Sequence, residues 1–186
     1  MGKIVVAEFV SADGVIEEPV WTAPYWNDGI AAFKNPEVFD ADALLLGRTT
    51  YEGFAAAWPN HPEEGDYKER MNSMPKHVAT TTLSDLEWNA TPITGDLADG
   101  IAALRAEQNL LVFGSATLVE FLRAHNLVDE YRLVIYPVVL GSGARLWSPV
   151  DAEATLALES SEVLDNGVIL ATYRVTETSV KRPSFG

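Results

Sequence analysis

The sequence predicts an α/β fold: a three-layer α/β/α sandwich with a mostly parallel sheet and an antiparallel C-terminal hairpin. Two observations support this prediction. Short, wholly apolar segments, of which residues 110–113 are the clearest, alternate with segments of helical periodicity, as in parallel sheets that helices cover on both faces. Near the C-terminus, Asp165, Asn166 and Gly167 form a sequence typical of a tight turn between two strands.

The composition limits the possible partners and chemistry. The chain has 186 residues, a formal net charge of −14 and no cysteine. Its length predicts one domain, residues 1–176, and a tail, residues 177–186, without periodic pattern. The negative charge argues against nucleic acid and anionic membranes as partners. The absence of cysteine excludes disulfides and zinc–thiolate sites, and the three histidines lack metal-ligand spacing, so no metal is expected. No secretory leader or membrane-length apolar segment is recognisable, which predicts a cytoplasmic protein.

The elements follow one another in an alternating order. The strands are predicted at residues 3–10, 41–46, 76–81, 110–113, 130–139, 154–163 and 168–175. The helices are predicted at residues 29–33, 50–58, 67–73, 97–108 and 117–124. Residues 15–27 form a long loop that contains Trp21, Tyr25 and Trp26. Such a loop either covers a site as a lid or lies on the surface, held there by its own aromatic rings.

One pattern occurs twice at the end of an apolar strand. The first copy is Gly47-Arg48-Thr49-Thr50-Tyr51-Glu52, and the second is Gly114-Ser115-Ala116-Thr117-Leu118-Val119-Glu120. In each copy a glycine and small polar residues precede Thr-x-x-Glu, which predicts a capping box at the start of a helix. Thr49 and Thr117 would be the N-caps, and Glu52 and Glu120 would reach back to them.

Two such turns indicate a phosphate site. Free N–H groups and partial positive charge at helix N-termini bind phosphate, and ligands of open α/β sheets bind at the carboxyl ends of the strands. Arg48 adds a cation beside the first turn. The alternative is that both turns only connect strands to helices. A G-x-G-x-x-G fingerprint and a Walker lysine are both absent.

These residues resemble the dihydrofolate reductase-like superfamily. Residues 47–52 are similar to the Gly-Arg-x-Thr-aromatic-Glu segment of dihydrofolate reductases, and residues 76–81 are similar to their next strand. Residues 11–14 and 140–147 look more like the reductase domain of the riboflavin-biosynthesis deaminase-reductase and its stand-alone relatives. The resemblance extends from Lys3 to about Val175. It implies an NADPH-dependent oxidoreductase of the same fold.

The resemblance also implies which residues bind NADPH. Arg48, Thr80 and Thr81 would contact the adenosine 2′-phosphate, and Thr49 and Thr50, after Gly47, would lie near the pyrophosphate. The remaining contacts come from two segments. The second phosphate turn would be formed by Gly114, Ser115, Ala116 and Thr117, and the nicotinamide would lie beside Asp13, Gly14, Val15 and Ile16. Ser115 departs from the Gly-Gly pair of folate reductases.

The substrate pocket is predicted around Trp21, Trp26 and Asp28. Asp28 is the only acid where folate reductases place a catalytic carboxylate. It precedes Phe33 by five residues, however, whereas a shared helix face requires three or four. Asp28 is therefore either the catalytic acid or the N-cap of the helix that follows it. The tryptophans either line a heterocycle pocket or pack within the protein.

Two functions are compatible with these residues. The first is an NADPH-dependent reductase that transfers hydride to a small pterin- or pyrimidine-like heterocycle, of the dihydrofolate reductase or 5-amino-6-(5-phosphoribosylamino)uracil reductase type. The alternative is a nucleotide-binding or dimeric interaction protein that keeps the fold without the chemistry. The resemblance implies a homodimer, for which the C-terminal hairpin is a candidate interface.

Overall fold

A computed structural model describes residues 2–62, 64–148 and 153–177. It confirms the predicted α/β sandwich with one eight-stranded sheet. The strands are β1 (Ile4–Ser11), β2 (Ala43–Gly47), β3 (Lys76–Ala79), β4 (Ala90–Pro92), β5 (Leu110–Phe113), β6 (Glu130–Tyr136), β7 (Thr155–Val163) and β8 (Ile169–Glu177). The helices are α1 (Asp28–Asp40), α2 (Arg48–Ala57), α3 (Asp66–Ser73), α4 (Leu97–Glu107) and α5 (Ala116–Ala124). Of the predicted tail, residues 178–186 lie outside the described residues.

The sheet has the order β4-β3-β2-β5-β1-β6-β8-β7. The strands from β4 to β6 pair in parallel, and β8 pairs antiparallel with both β6 and β7. Strand β1 lies between β5 and β6, and its register pairs Ala7 with Phe113, the last residue of β5. Residues 8–11 of β1 therefore extend beyond β5 at the carboxyl edge of the sheet. In open α/β sheets, ligands bind in a crevice at this edge, outside the carboxyl ends of the strands.

Apolar cores cover both faces of the sheet. Alternation along β1 directs Ile4 and Val6 into the core beneath α4 and α5, and Val5 and Ala7 into the core beneath α1, α2 and α3. The central strands are almost wholly buried because both faces are covered. This burial explains why their sequences are apolar without alternation.

Helix α1 is much longer than the one or two turns predicted from the sequence. Its thirteen residues continue through Pro36, which normally interrupts a helix because proline lacks an N–H donor. At the C-terminal end of the helix, the guanidinium of Arg70 of α3 donates to the carbonyl oxygens of Val38 and Ala41. The long-range contact from α3 was not visible in the sequence of α1.

Two further predictions need correction. The loop at residues 15–27 contains a 3-10 helix, Pro19–Tyr25, and the short edge strand β4 was missed. Strand β4 has only three residues and ends in Pro92, which a sheet tolerates at its edge. Strand β3 ends at Ala79, so Thr80 and Thr81 follow the strand and are not part of it.

Candidate functional site

The two glycine turns predicted from the sequence touch each other. Gly47 ends β2 and Gly114 follows β5, and these strands are neighbours in the sheet. The Oγ of Ser115 accepts a hydrogen bond from the Gly47 N–H at 3.1 Å. The same hydroxyl donates to Oγ1 of Thr50 at 2.6 Å. A serine at the start of α5 thus joins both helix N-termini at the carboxyl edge of the sheet.

The predicted capping boxes are wrong. Helix α2 has Gly47 as its N-cap, and α5 has Ser115, whose side chain makes no capping bond with its own helix. Both helices therefore begin earlier than Thr49 and Thr117, the predicted caps. The Ser115 hydroxyl is occupied by the neighbouring turn. Neither N-cap side chain accepts a hydrogen bond from the first turn of its own helix. The N–H groups of that turn are therefore not occupied by a capping side chain and can donate to an anion.

The backbone of the second turn requires a residue that tolerates the left-handed region. Gly114 has φ of 57° and Ser115 has φ of 60°. A Cβ at Gly114 would lie 3.2 Å from Oγ1 of Thr50, and a Cβ at Gly47 would lie 3.0 Å from Oγ of Ser115. Glycine at both positions lets the turns approach closely. Ser115 accepts an unfavourable backbone conformation, which its two hydrogen bonds offset.

We expect Ser115→Ala to destabilise the protein by about 1–2 kcal/mol, because it removes both bonds and keeps the left-handed backbone. Ser115→Gly removes the same bonds but relieves the backbone, so it should be the more stable of the two by about 0.5–1 kcal/mol. Urea unfolding of both variants measures the difference. Ser161→Ala on the exposed edge strand β7 is the control. Equal stability of Ser115→Ala and the wild type would contradict the structural role of the hydroxyl.

The residues predicted to bind a 2′-phosphate lie at one edge of the sheet. The register pairs Gly47 of β2 with Ala79 of β3, so Arg48 and Thr80 follow adjacent strand ends. Arg48 and Thr81 are exposed. Within the described part of the chain, no hydrogen bond or ion pair engages the Arg48 side chain. Thr80 Oγ1 accepts from the N–H groups of Thr82 and Leu83 at 3.2 Å each, which shapes the loop after β3.

Asp13 holds a loop to the end of β1. Its carboxylate accepts from the Ser11 hydroxyl at 2.7 Å and from the N–H groups of Leu140 and Gly141 at 3.1 and 2.8 Å. The Arg145 guanidinium donates to the Asp13 carbonyl oxygen and lies 3.3 Å from its carboxylate. The Ser11 hydroxyl, followed by the two backbone N–H groups, lowers the pKa of Asp13 well below its ordinary value.

The residues after Asp13 turn inward. Val15 and Ile16 are buried, and the Ile16 N–H donates to the Ala144 carbonyl oxygen at 2.9 Å. Leu146 donates in turn to the carbonyl oxygen of Gly14. The segment predicted to lie beside a nicotinamide is thus fixed by a second loop, and its apolar side chains point into the protein.

Because the folded-state pKa of Asp13 is depressed, the carboxylate stabilises the fold above its ordinary pKa and loses this effect as the pH falls. We expect the stability of the wild type to fall below about pH 4, and Asp13→Asn to be less stable at pH 7 with a shallower acid dependence. Thermal unfolding between pH 2 and pH 7 tests this expectation. Asp40→Asn, at the exposed end of α1, is the control. Parallel pH profiles for Asp13→Asn and the wild type would contradict it.

The aromatic loop is fixed to strand β6. The rings of Trp21 and Tyr25 meet the Tyr136 ring edge-on, with centroids 5.4 and 5.7 Å away. Trp26 is 54% exposed and meets the Phe9 ring at 6.2 Å. Trp21 therefore packs within the protein, whereas Trp26 presents an exposed ring next to Phe9 of β1.

Asp28 is exposed at the first position of α1. Its predicted N-cap role is wrong, because Asn27 is the N-cap and its side-chain oxygen accepts from the Ile30 N–H at 3.0 Å. Asparagine is as well suited to an N-cap as aspartate, and Asn27 lies one residue before Asp28. The catalytic role of Asp28 stays a prediction.

Sequence reasoning missed a group of buried charged residues on β1 and α1. Glu8 of β1 is 4% exposed, and Lys34 and Glu37 of α1 are 5% and 3% exposed. Lys34 Nζ lies 2.6 Å from Glu37 Oε2, and Nε of Arg132 on β6 lies 3.6 Å from Glu37 Oε1. The sequence did contain a signal for Glu8, because it is the only charged residue in the largely apolar strand β1. Lys34 and Glu37 share a helix face at i, i+3, but α1 was predicted to end before them.

Burial raises the pKa of both carboxyl groups. For Glu8 the Lys34 ammonium and the Gly114 N–H oppose this effect only in part. For Glu37 the increase is again due to burial, opposed by Lys34. Burial therefore favours the neutral form of the Glu8 carboxyl group. Its Oε1 has no hydrogen-bond partner among the described residues.

Comparison with known proteins gives the family. Residues 2–170 match the RibD C-terminal domain. The chain belongs to this family. The uncharacterized protein YyaP of Bacillus subtilis is a relative with 26% identity over 180 residues, which cover 92% of this chain and 94% of YyaP. The suspected relationship to riboflavin-type reductase domains is confirmed.

Solved structures show the same fold for this RibD C-terminal domain. A protein assigned to riboflavin biosynthesis from Shewanella sp. PV-4 matches with a TM-score of 0.71 at 22% identity, covering 94% of this chain and 99% of that chain. Dihydrofolate reductase from Enterococcus faecalis, complexed with NADP(H), matches with a TM-score of 0.61 at 16% identity. The match covers 95% of this chain and 98% of the reductase. The dihydrofolate reductase-like fold predicted from the sequence is confirmed. None of the helices in the described ranges could span a membrane.

Proposed function

We propose that this RibD C-terminal domain is an NADPH-dependent reductase of a small pterin- or pyrimidine-like heterocycle. The observation that carries the proposal is the contact between the two glycine turns through Ser115. It brings two helix N-termini to adjacent positions at the carboxyl edge of the sheet. A dinucleotide carries several phosphate charges, and paired helix N-termini match that charge.

The residues at this edge fit the cofactor. A chain with net charge −14 needs a local cation to bind an anion, and Arg48 is exposed beside the first turn. In our proposal Arg48, Thr80 and Thr81 bind the 2′-phosphate, and Thr49 and Thr50 bind near the pyrophosphate. The close approach at Gly47 and Gly114 leaves little space there for a Cβ. Gly114, Ser115, Ala116 and Thr117 supply the second set of phosphate contacts.

The cofactor, when bound, supplies the hydride. The chain contributes position and the exclusion of water. We propose that the segment from Asp13 to Ile16 lies against the nicotinamide. Hydrogen bonds to residues 140–146 fix the backbone of this segment. Trp26 and Phe9 form an aromatic wall against which a flat substrate ring can stack. The proton that completes the reduction comes from Asp28 or from water.

The proposed partner is a second copy of the chain. The edge strand β7 exposes Leu158 and Val163, at 56% and 71% of their surface. Exposed apolar side chains on an edge strand favour pairing with another chain. Light scattering after size-exclusion chromatography should give the mass of a dimer, and a monomer at micromolar concentration would contradict this part of the proposal.

NADPH oxidation followed at 340 nm tests the reductase. The substrates are dihydrofolate and the ribosylamino-pyrimidine of riboflavin biosynthesis, and heat-denatured protein is the control. We expect enzyme-dependent loss of absorbance with at least one of them. Flat traces with both, together with measurable NADPH binding, would instead favour the alternative, a nucleotide-binding protein without reductase chemistry.

A further inference from the structure

Glu8 lies beside the second glycine turn. The parallel register of β1 and β5 pairs Ala7 with Phe113, so Glu8 and Gly114 are the next residues on the two strands. The carboxyl group of Glu8 accepts a hydrogen bond from the Gly114 N–H. Its Oε1 has no hydrogen-bond partner among the described residues, and the residue is 4% exposed. A buried acid is therefore joined by a hydrogen bond to the backbone that we propose binds phosphate.

The charged side chains around Glu8 belong to α1 and β6. The Lys34 ammonium favours the ionised form of Glu8, and the Glu37 carboxyl group disfavours it. Lys34 Nζ is paired with Glu37, however, at 2.6 Å, and Arg132 Nε also lies nearest Glu37, at 3.6 Å from its Oε1. In the described ranges no ion pair joins Glu8 to a cation. Glu8 is thus the carboxyl group of this cluster whose negative charge has no direct partner.

The charge of Glu8 affects an anion bound at the second turn in two ways. An ionised Glu8 repels a phosphate on the same turn, and this repulsion is large where water is excluded. A carboxylate also accepts a stronger hydrogen bond from the Gly114 N–H than a neutral carboxyl group does, so it competes with the phosphate for the positive end of the turn. Protonation of Glu8 weakens both effects.

A structural role alone does not account for an ionisable group at this position. A glutamine would accept the same hydrogen bond from the Gly114 N–H without the solvation cost that burying a carboxylate carries. Strand β1 is otherwise built for burial, with Val6 and Ala7 preceding Glu8 in the two cores. Buried ionisable groups with shifted pKa values cluster at functional sites, and Glu8 adjoins the candidate site.

We propose that Glu8 is a proton-linked positioning residue of the second glycine turn: the turn binds a phosphate of the dinucleotide when the Glu8 carboxyl group is protonated, and binding to the ionised form takes up one proton from solution. This inference rests on the proposed function and adds control of cofactor affinity by pH. The ligand does not have to reach Glu8, because the effect passes through the Gly114 N–H and through the charge.

Linkage gives the direction of the pH dependence. An anion that binds more tightly to the protonated form raises the pKa of Glu8, and the proton in turn strengthens binding by the same factor. The affinity for NADPH should therefore fall as the pH rises through the pKa of Glu8, by at most about tenfold per pH unit for one proton. NADH should show the same slope, because it carries the same pyrophosphate.

Isothermal titration calorimetry of the wild type with NADPH tests the linkage without any substitution. Titrations at about pH 8 in Hepes and in Tris, which differ in their heat of ionisation, give the number of protons taken up. The 2′-phosphate, with a pKa of about 6, is already ionised there and does not contribute. We expect an uptake of between about 0.3 and 1 proton per NADPH at the pH of maximal uptake between pH 7 and pH 9.5.

Glu8→Gln assigns the proton to this residue. The amide keeps the acceptor for the Gly114 N–H and resembles the protonated acid, so this variant should fold, bind NADPH as the wild type does at low pH, and take up no proton. At about pH 9 it should bind NADPH about tenfold more tightly than the wild type. A merely structural role for Glu8 would not produce this pH-dependent gain.

Two variants are the controls. Asp40→Asn removes an exposed carboxyl group at the end of α1. Lys76→Met removes the other buried group that titrates in this range, since burial lowers the pKa of Lys76 to about 8. Lys76 begins β3, at the edge of the sheet opposite the turns. Both variants should retain the proton uptake and the pH dependence of the wild type.

The outcomes separate this inference from the proposed function. Absence of NADPH binding at every pH overturns both. NADPH binding without proton uptake overturns the proton linkage alone, as does an uptake that persists in Glu8→Gln or disappears in Lys76→Met. An uptake that is lost only in Glu8→Gln, together with a pH-independent affinity of that variant, is the result that we expect.

Discussion

Replacing Arg48 by alanine is expected to weaken NADPH binding about tenfold to hundredfold, since a hydrogen-bonded charge contributes about 1.5–3 kcal/mol. Arg48 is exposed beside the first glycine turn, and NADPH carries a 2′-phosphate that NADH lacks. NADH binding should therefore change little. Isothermal titration calorimetry with both nucleotides measures the two effects.

Arg174→Ala is the control for the loss of one positive charge. Arg174 lies on β8, is exposed and pairs with Glu159, far from the carboxyl edge of β2. It should alter NADPH binding less than twofold, as expected for a distant, screened charge. Equal losses of NADPH and NADH affinity in Arg48→Ala would contradict the assignment of Arg48 to the 2′-phosphate.

Gly114→Val is expected to give the largest loss of stability at the site, about 2–4 kcal/mol, together with loss of NADPH binding. Gly114 has φ of 57°, which a β-branched residue rarely adopts, and its Cβ would lie 3.2 Å from Thr50 Oγ1. The substitution would separate the two turns that Ser115 joins. Urea unfolding and nucleotide titration measure the two consequences.

Gly95→Val is the control that separates the effect of backbone strain from that of a steric clash between the two turns. Gly95 also has a positive φ, 81°, but a Cβ there has no neighbour within 4 Å among the described residues. This variant should lose about 1–3 kcal/mol from backbone strain and keep NADPH binding. If Gly114→Val binds NADPH as tightly as Gly95→Val does, the second turn is not a cofactor contact.

Apart from the short edge strand β4, the sequence was sufficient to predict the strands of a mostly parallel sheet and the positions of the two turns. Wholly apolar strands such as β5 indicated burial on both faces, and a glycine after each strand indicated the turns. That the turns touch could not be predicted. The contact depends on β2 and β5 being neighbours, and the sequence does not specify strand order.

The errors have identifiable physical causes. Thr49 and Thr117 matched the capping-box pattern, but both helices begin earlier because Gly47 and Ser115 already have N-cap positions. Pro36 concealed the second half of α1, and with it the buried Lys34 and Glu37. The pairing of α1 with β6 through Arg132 is a tertiary contact that local periodicity does not contain.

Direct titration of the wild-type protein with NADPH tests whether the joined glycine turns form a nucleotide site. Isothermal titration calorimetry at low salt should show one site per chain, with NADPH bound at least about tenfold more tightly than NADH. Absence of binding at millimolar NADPH would contradict the proposed nucleotide site. Equal affinity for NADPH and NADH would contradict the assignment of Arg48 to the 2′-phosphate.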